Sequence, residues 1–163
     1  MKRSNVVLVL LCAAMVACAQ EMTQREEALA RQAVRDRASA WVKAMNSARL
    51  DSIATFYLQT PDLTVLWPDG RRTEGWDSTR AAIRGFYGGI NYMNFVVSEV
   101  EVQVLSPATA LTLLRHSTDI VQRNGQRLPV QAGQGTVLWV KDPQDNQWKI
   151  DMSHIAVSSP SGN

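Results

Sequence analysis

The chain carries two histidines, His116 and His154, and both fall in strand-like segments near its C-terminus. A neutral imidazole donates at one ring nitrogen and accepts at the other near physiological pH. Two of them on one apolar surface would offer acid–base chemistry or fix the polar end of a bound molecule. Tyr57, Tyr87 and Tyr92 could add a hydroxyl donor. Carboxylates are less well placed: alternation turns Glu99, Glu101, Asp119 and Asp151 away from that surface, while Asp62, Asp69, Glu74 and Asp77 sit in turns and caps. The catalytic candidates are therefore His154, His116 and Tyr57, and nothing in the residues requires catalysis. An enzyme built this way would work by general acid and base. His116-Ser117-Thr118-Asp119 holds the letters of a hydrolase triad, yet residues i and i+3 of a strand face opposite sides. Once Cys12 leaves with an N-terminal signal there is no thiol beyond Cys18, and no histidine pair stands at helical spacing, so neither metal nor cofactor is called for.

Those side chains need elements to hold them. From Arg25 to Ser47 apolar residues recur at helical spacing with charge on the opposite face, predicting a long amphipathic helix. Asp51 is placed to cap a short second helix, and Asp77 or Ser78 to cap a third that Gly88-Gly89 closes. Leu63–Trp67 and Arg71–Glu74 read as a hairpin around Pro68-Asp69-Gly70. Then the chain is all strand: 92–105, 109–121, 132–141 and 147–157, with corners at Ser106-Pro107, Asn124-Gly125 and 142–146. Helices first and an antiparallel meander after them predict an α+β domain, with three helices in the N-terminal half packed on one face of a curved sheet of about four long strands plus a short hairpin.

The turns set the register. A two-residue turn at Asn124-Gly125 places His116 opposite Gly133 and Leu114 opposite Gly135. Closing the last hairpin at Asp142 and Gln147 places Trp139 opposite Ile150, Val137 opposite Met152, and Gly135 opposite His154. One bulge would invert either result. With this register both histidines share the inner, helix-covered face about 10 Å apart. Gly133 and Gly135 would leave space between them, and Trp41, Tyr57, Trp67, Tyr92, His116, Gly135, Trp139 and His154 would line a ligand pocket. A structural histidine, bonded to a backbone carbonyl, and an aromatic core explain the same residues without a ligand.

Residues 1–17 read as an export signal, with Lys2 and Arg3 before an apolar run and a small-residue cleavage site before Cys18. Cys18 stands where a lipid acceptor would be; ordinary secretory cleavage is the alternative. Removal takes two of the 17 basic residues and none of the 15 acidic ones, leaving 15 and 15. A neutral mature chain lacks the basic face of a nucleic-acid binder. Residues 19–26 read as a tether, 27–157 as one domain, and 158–163 as a tail. Localisation on the periplasmic side of a bacterial membrane, through the lipid anchor, follows from that pattern.

The order of long helix, short helix, Pro68-Asp69-Gly70 hairpin, Glu74-Gly75-Trp76 before a third helix, and a closing strand Trp148-Lys149-Ile150 leading to His154 resembles the nuclear transport factor 2-like superfamily. It is most similar to the SnoaL-like and ketosteroid-isomerase-like branch. The resemblance spans roughly Arg25 to Ser158. It implies a cone enclosing a pocket for a small apolar or amphipathic ligand, and a homodimer formed through the outer sheet face. Because the superfamily hosts both enzymes and non-enzymes, a binding domain, an isomerase, cyclase or dehydratase, and an envelope assembly module all remain open.

Overall fold

The computed structural model describes residues 22–158. Helix α1, Gln24–Ser47, begins at a reciprocal cap: the Thr23 hydroxyl accepts from the Glu26 N–H, and the Glu26 carboxylate accepts from the Thr23 N–H. It buries Ala30, Val34, Ala38, Trp41 and Ala44, one side of a helix at three- and four-residue spacing. Helix α2, Leu50–Ala54, follows after Ala48 takes a left-handed conformation. Its cap is Arg49, with Asp51 already inside the first turn, which corrects the expected cap. Helix α3, Trp76–Gly88, starts from Gly75 at φ 77°, not from Asp77 or Ser78. There Trp76 N–H bonds Thr60 and the Gly75 N–H bonds Leu63, so tertiary contacts replace a side-chain cap.

Six strands form one sheet in the order β2-β1-β6-β5-β4-β3: β1 Thr64–Leu66, β2 Arg72–Glu74, β3 Ile90–Ser106, β4 Thr109–Gln122, β5 Gln131–Lys141 and β6 Trp148–Val157. The β1–β2 hairpin joins this sheet by running parallel to β6, so the sheet is mixed and not the purely antiparallel one expected. Helix α1 covers the long edge strand β3. Asn46 holds both backbone groups of Phe95, donating to its carbonyl (2.9 Å) and accepting from its N–H (2.7 Å), and Arg31 donates to the Val102 carbonyl (3.1 Å). These bonds hide edge groups that would otherwise pair with another strand. Arg37 ties the helix to the opposite side, donating to the carbonyls of Trp148 (2.9 Å) and Thr55 (2.6 Å) while lying 4.0 Å over the Phe56 ring.

Two registers decide what the inner face carries. Between β4 and β5, His116 faces Gly133, Leu114 faces Gly135 and Thr112 faces Val137, as the turn predicts. The route differs: Gln122 pairs with Gln126 around a three-residue loop whose Gly125 has φ 84°, and the pairing then slips by one between Arg127 and Gln131. Between β5 and β6, Trp139 faces Ile150, but a bulge follows and Val137 faces Ser153, Thr136 faces His154 and Gly135 faces Ile155. The bulge inserts Asp151 and inverts every later side chain of β6.

Candidate functional site

The bulge corrects the expected pairing of histidines. His154 stands on the outer face, exposed, beside Thr136, while Ser153, Ile155 and Val157 take the inner positions expected for Met152, His154 and Ala156. Tyr92 pairs with Val121 on the outer face and is 48% exposed, so it does not line the cone. Gly135 remains inner, but the space beside it is filled: a Cβ there would lie 2.6 Å from Ile155 Cδ1 and 2.9 Å from Leu114 Cδ1. Trp41, Tyr57, His116 and Trp139 are buried in the interior, and Trp67 is half-buried against the core.

Inner-face side chains are fully buried at the narrow end, around Ala110, Thr112, Val137, Trp139 and Ile150. At the other end Thr118, Ile155 and Val157 are only half-buried. His116 lies between, 4% exposed. Its Nε2 is 3.1 Å from the Ala156 carbonyl, reached across β5 at Gly133. That crossing needs glycine, because a Cβ on Gly133 would sit 1.9 Å from the same oxygen. A carbonyl only accepts, so the neutral ring must carry its proton on Nε2, leaving the Nδ1 lone pair 3.5 Å from the Thr118 hydroxyl. Burial holds the imidazole below its ordinary pKa, against the carbonyls of Ala156 and Gln134.

Aromatic rings fill the interior beside it. Phe95 lies 5.2 Å from His116, Trp41 meets Phe95 edge-on at 5.8 Å and Trp139 edge-on at 6.5 Å, and Tyr57 stacks on Trp76 at 6.3 Å. Most polar atoms among them are satisfied. Trp139 donates to Thr112 (3.1 Å), Trp67 donates to Thr73 (3.1 Å), Thr73 and Thr79 share a bond of 3.0 Å, and Tyr87 donates to the Met45 carbonyl (2.7 Å). The Trp41 Nε1 is buried without a partner among the described residues. Its polar neighbour is the Tyr57 hydroxyl, whose oxygen can accept from it: burial pushes that hydroxyl up to about 12, and the indole N–H directed at it works against the rise. No Asp, Glu, Lys or Arg belongs to the buried inner face of the described sheet.

The outer face carries an open depression of about 400 Å³ lined by Glu99, Glu101, Leu113, Arg115, Thr136 and His154, with Glu99 and Arg115 paired at 3.2 Å. Asp119 is held by Arg127, whose hydrogen bonds lower its carboxyl pKa. Asp151, the inserted bulge residue, is half-buried, and its carboxyl is raised by burial and by Asp62. Phe95, Thr118 and Ser153 are inner residues that sequence reasoning passed over. Phe95 could have been found from the alternation of Met93, Phe95 and Val97, whereas Ser153 depends on a bulge without a sequence signal.

Comparison with known proteins agrees with this architecture. A family described as a SnoaL-like domain matches residues 26–154. A nuclear transport factor 2-like superfamily protein from Salmonella enterica superposes with a TM-score of 0.71 at 18% identity, over 83% of this chain and 95% of that one. A protein of the same family from Streptomyces avermitilis, provisionally named a dehydratase, gives 0.71 at 16% identity over 81% and 98%. A ketosteroid isomerase-like protein from Erwinia carotovora gives 0.67 at 20% identity over 80% and 97%. At these identities the likeness is one of fold. Among curated proteins nothing matches the sequence.

Proposed function

The chain belongs to the SnoaL-like family, and from that premise we propose that it is a small-molecule-binding domain whose ligand enters the cone beside His116, Thr118 and Ile155. The observation that carries this reading is the inner face itself. It is aromatic, apolar and free of carboxylates, and its burial relaxes at one end only. Such a lining holds an apolar body and leaves the few polar groups to orient it. The test is native mass spectrometry of the protein purified gently from its own host. A reproducible added mass that vanishes when Thr118 is replaced by Trp supports the reading; protein free of any added mass in both forms defeats it.

The same proposal takes the protein out of the cytoplasm, led by residues 1–17 and held to a membrane by lipid on Cys18. Those residues lie outside the described ones, and the support is their sequence pattern alone.

A second reading is an acid–base enzyme, favoured by the free Nδ1 of His116 and by the isomerase and dehydratase names of two structural neighbours. Turnover of a ligand identified above, lost in His116→Gln with the fold intact, would replace the binding reading by this one. The outer face favours a partner subunit through its exposed Tyr92, Val96 and Leu113. A homodimer there would dissociate on Leu113→Arg in sedimentation, and a monomeric wild type would exclude it.

A further inference from the structure

An open groove of about 680 Å³ runs between α1 and the tip of the β5–β6 hairpin, outside the cone. Its apolar lining is Met22, Leu29, Ala33 and Ala40 on one side, with Pro107 and Trp148 on the other. Leu29 is 63% exposed, and Leu105, two residues before Pro107, is 58% exposed. Apolar side chains left in water around one groove mark a surface that something covers. Neither the cone nor a subunit contact accounts for them. Tyr92, Val96 and Leu113 belong to the outer sheet face, where a partner subunit would sit, and Val130 stands in the β4–β5 loop at the far end of the sheet.

Resting on the lipid anchor at Cys18, we propose that this end of the domain lies against the bilayer, with Leu29 and Leu105 in the headgroup layer. The chain enters the domain here, since Met22 itself lines the groove. Four residues separate Cys18 from Met22, so at about 3.6 Å per extended residue the edge of the groove stands within about 14 Å of the point where the lipid enters the membrane. The groove has the composition of a membrane–water boundary. Lys141 lies 5.2 Å over the Trp148 ring, an aromatic body beside a long stem whose charged end reaches water or phosphate. Arg37 and Lys141 along the groove are matched by Glu26 and Asp36, so apolar contact and not net charge holds the surface down. Two leucines are too few to bind a membrane alone. The anchor makes their contact intramolecular, and a weak preference then suffices to orient the domain. Because β4 and β6 both start at this end, the half-buried Thr118, Ile155 and Val157 stand toward the opposite ends of their strands, on the aqueous side.

The test uses the full chain expressed in its own host and reconstituted into vesicles of phosphatidylethanolamine and phosphatidylglycerol. Mass and membrane partition first decide the anchor: a soluble protein without acyl groups overturns both the anchor and this surface. Once Cys12 has left with the leader and Cys18 is acylated, a single cysteine placed by Leu29→Cys, Leu105→Cys or Val130→Cys is the one free thiol and takes a spin label. All three positions are exposed, so the substitutions leave the core untouched. Labels at 29 and 105 are expected to meet dissolved oxygen more often and a water-soluble nickel chelate less often than the label at 130, raising the ratio of the two accessibilities several-fold. High salt is expected to leave that ratio unchanged. Acylated, membrane-bound protein with the same ratio at all three positions overturns the surface and keeps the anchor. A fall in both accessibilities at 29 and 105 means that protein covers the groove, and a ratio that collapses in high salt means that charge holds it; either result overturns the proposal.

Discussion

Replacing Gly133 by alanine should destabilise the domain severely, while the same change two residues away at Gly135 should cost far less. At Gly133 the new Cβ would meet the Ala156 carbonyl oxygen at 1.9 Å, and its carbon and the Val157 Cα at 2.9 Å, all backbone atoms that no rotamer can move aside. Ordinary carbon–oxygen contact is about 3.3 Å, so the end of β6 would have to retreat by more than about 1 Å. That takes the carbonyl away from His116, whose Nε2–H then loses its partner in a buried place. An unsatisfied buried donor costs about 1–3 kcal/mol. Overpacking strain costs about 1–3 kcal/mol more. The sum, about 2–6 kcal/mol, is a large share of the roughly 5–15 kcal/mol that holds a domain together. At about 2–4 °C per kcal/mol for a chain near this length, a mid-range 4 kcal/mol lowers Tm by about 8–16 °C. At Gly135 the obstacles are side-chain atoms, Ile155 Cδ1 at 2.6 Å, Leu114 Cδ1 at 2.9 Å and Leu114 Cγ at 3.2 Å, and Ile155 is half-buried and free of the backbone constraint met at Gly133. Alanine there also narrows the unfolded ensemble by about 0.4–1 kcal/mol, offsetting part of the strain. Thermal and urea unfolding of the two variants decide the matter. A Gly133→Ala protein melting within about 3 °C of wild type, or a Gly135→Ala protein melting lower, would refute the cross-strand latch.

His116 predicts a pH dependence of known sign: burial lowers its folded pKa below the unfolded value of about 6.5, so its contribution is full above that pH and is lost as pH falls through the window beneath it. Wild type should therefore lose stability relative to His116→Gln between about pH 7 and pH 5, and parallel curves for the two would contradict the assignment. Arg37→Met should lower stability by about 2–3 kcal/mol in urea titration, since two carbonyls lose a charged donor and the Phe56 ring loses its cation. Cys18→Ser should move the protein from the membrane to the soluble fraction of its host; unchanged partition would leave secretory cleavage as the better reading of the leader.

The sequence was most legible where a single local rule suffices. Helical spacing marked the long helix to within a residue at its start, from Gln24 where Arg25 was expected, and placed its end at Ser47. The strands from β3 onward were located within two residues at each end. The caps of the second and third helices were missed because backbone contacts with Thr60 and Leu63 start α3, and Gly75 adopts a positive φ that only the tertiary path requires. Register was harder, since it accumulates along a strand. At His116 it came out right because two departures cancel: the hairpin loop holds three residues where two were expected, and the slip before Gln131 restores the count. At His154 there is one departure and no second, so the error survives to the end of β6. Nothing in Ile150-Asp151-Met152 signals a bulge. What sets it is the neighbour: Tyr57 pairs with Ile150 on the other side of β6, while β1 picks up only at Met152, leaving Asp151 at the seam.

That seam also bears on whether the cone could run a reaction. By turning His154 outward the bulge leaves His116 as the inner imidazole, and the Ala156 carbonyl fixes which of its nitrogens is free. The free Nδ1 is a lone pair held in a ring whose pKa burial has lowered, so at neutral pH it is unprotonated and weakly basic. General-base catalysis is most effective when the base titrates near the working pH, and lowering that value trades occupancy of the free base against its pull on a proton. Catalysis therefore requires a substrate whose abstracted proton lies within hydrogen-bond reach of Nδ1. A bound compound with no acidic hydrogen on the His116 side would be held and not turned over. Soaking deuterated solvent against the ligand–protein complex separates the cases: exchange of a ligand carbon-bound hydrogen that disappears in His116→Gln demonstrates a working base, and a ligand that stays unlabelled on wild type means the cone only binds.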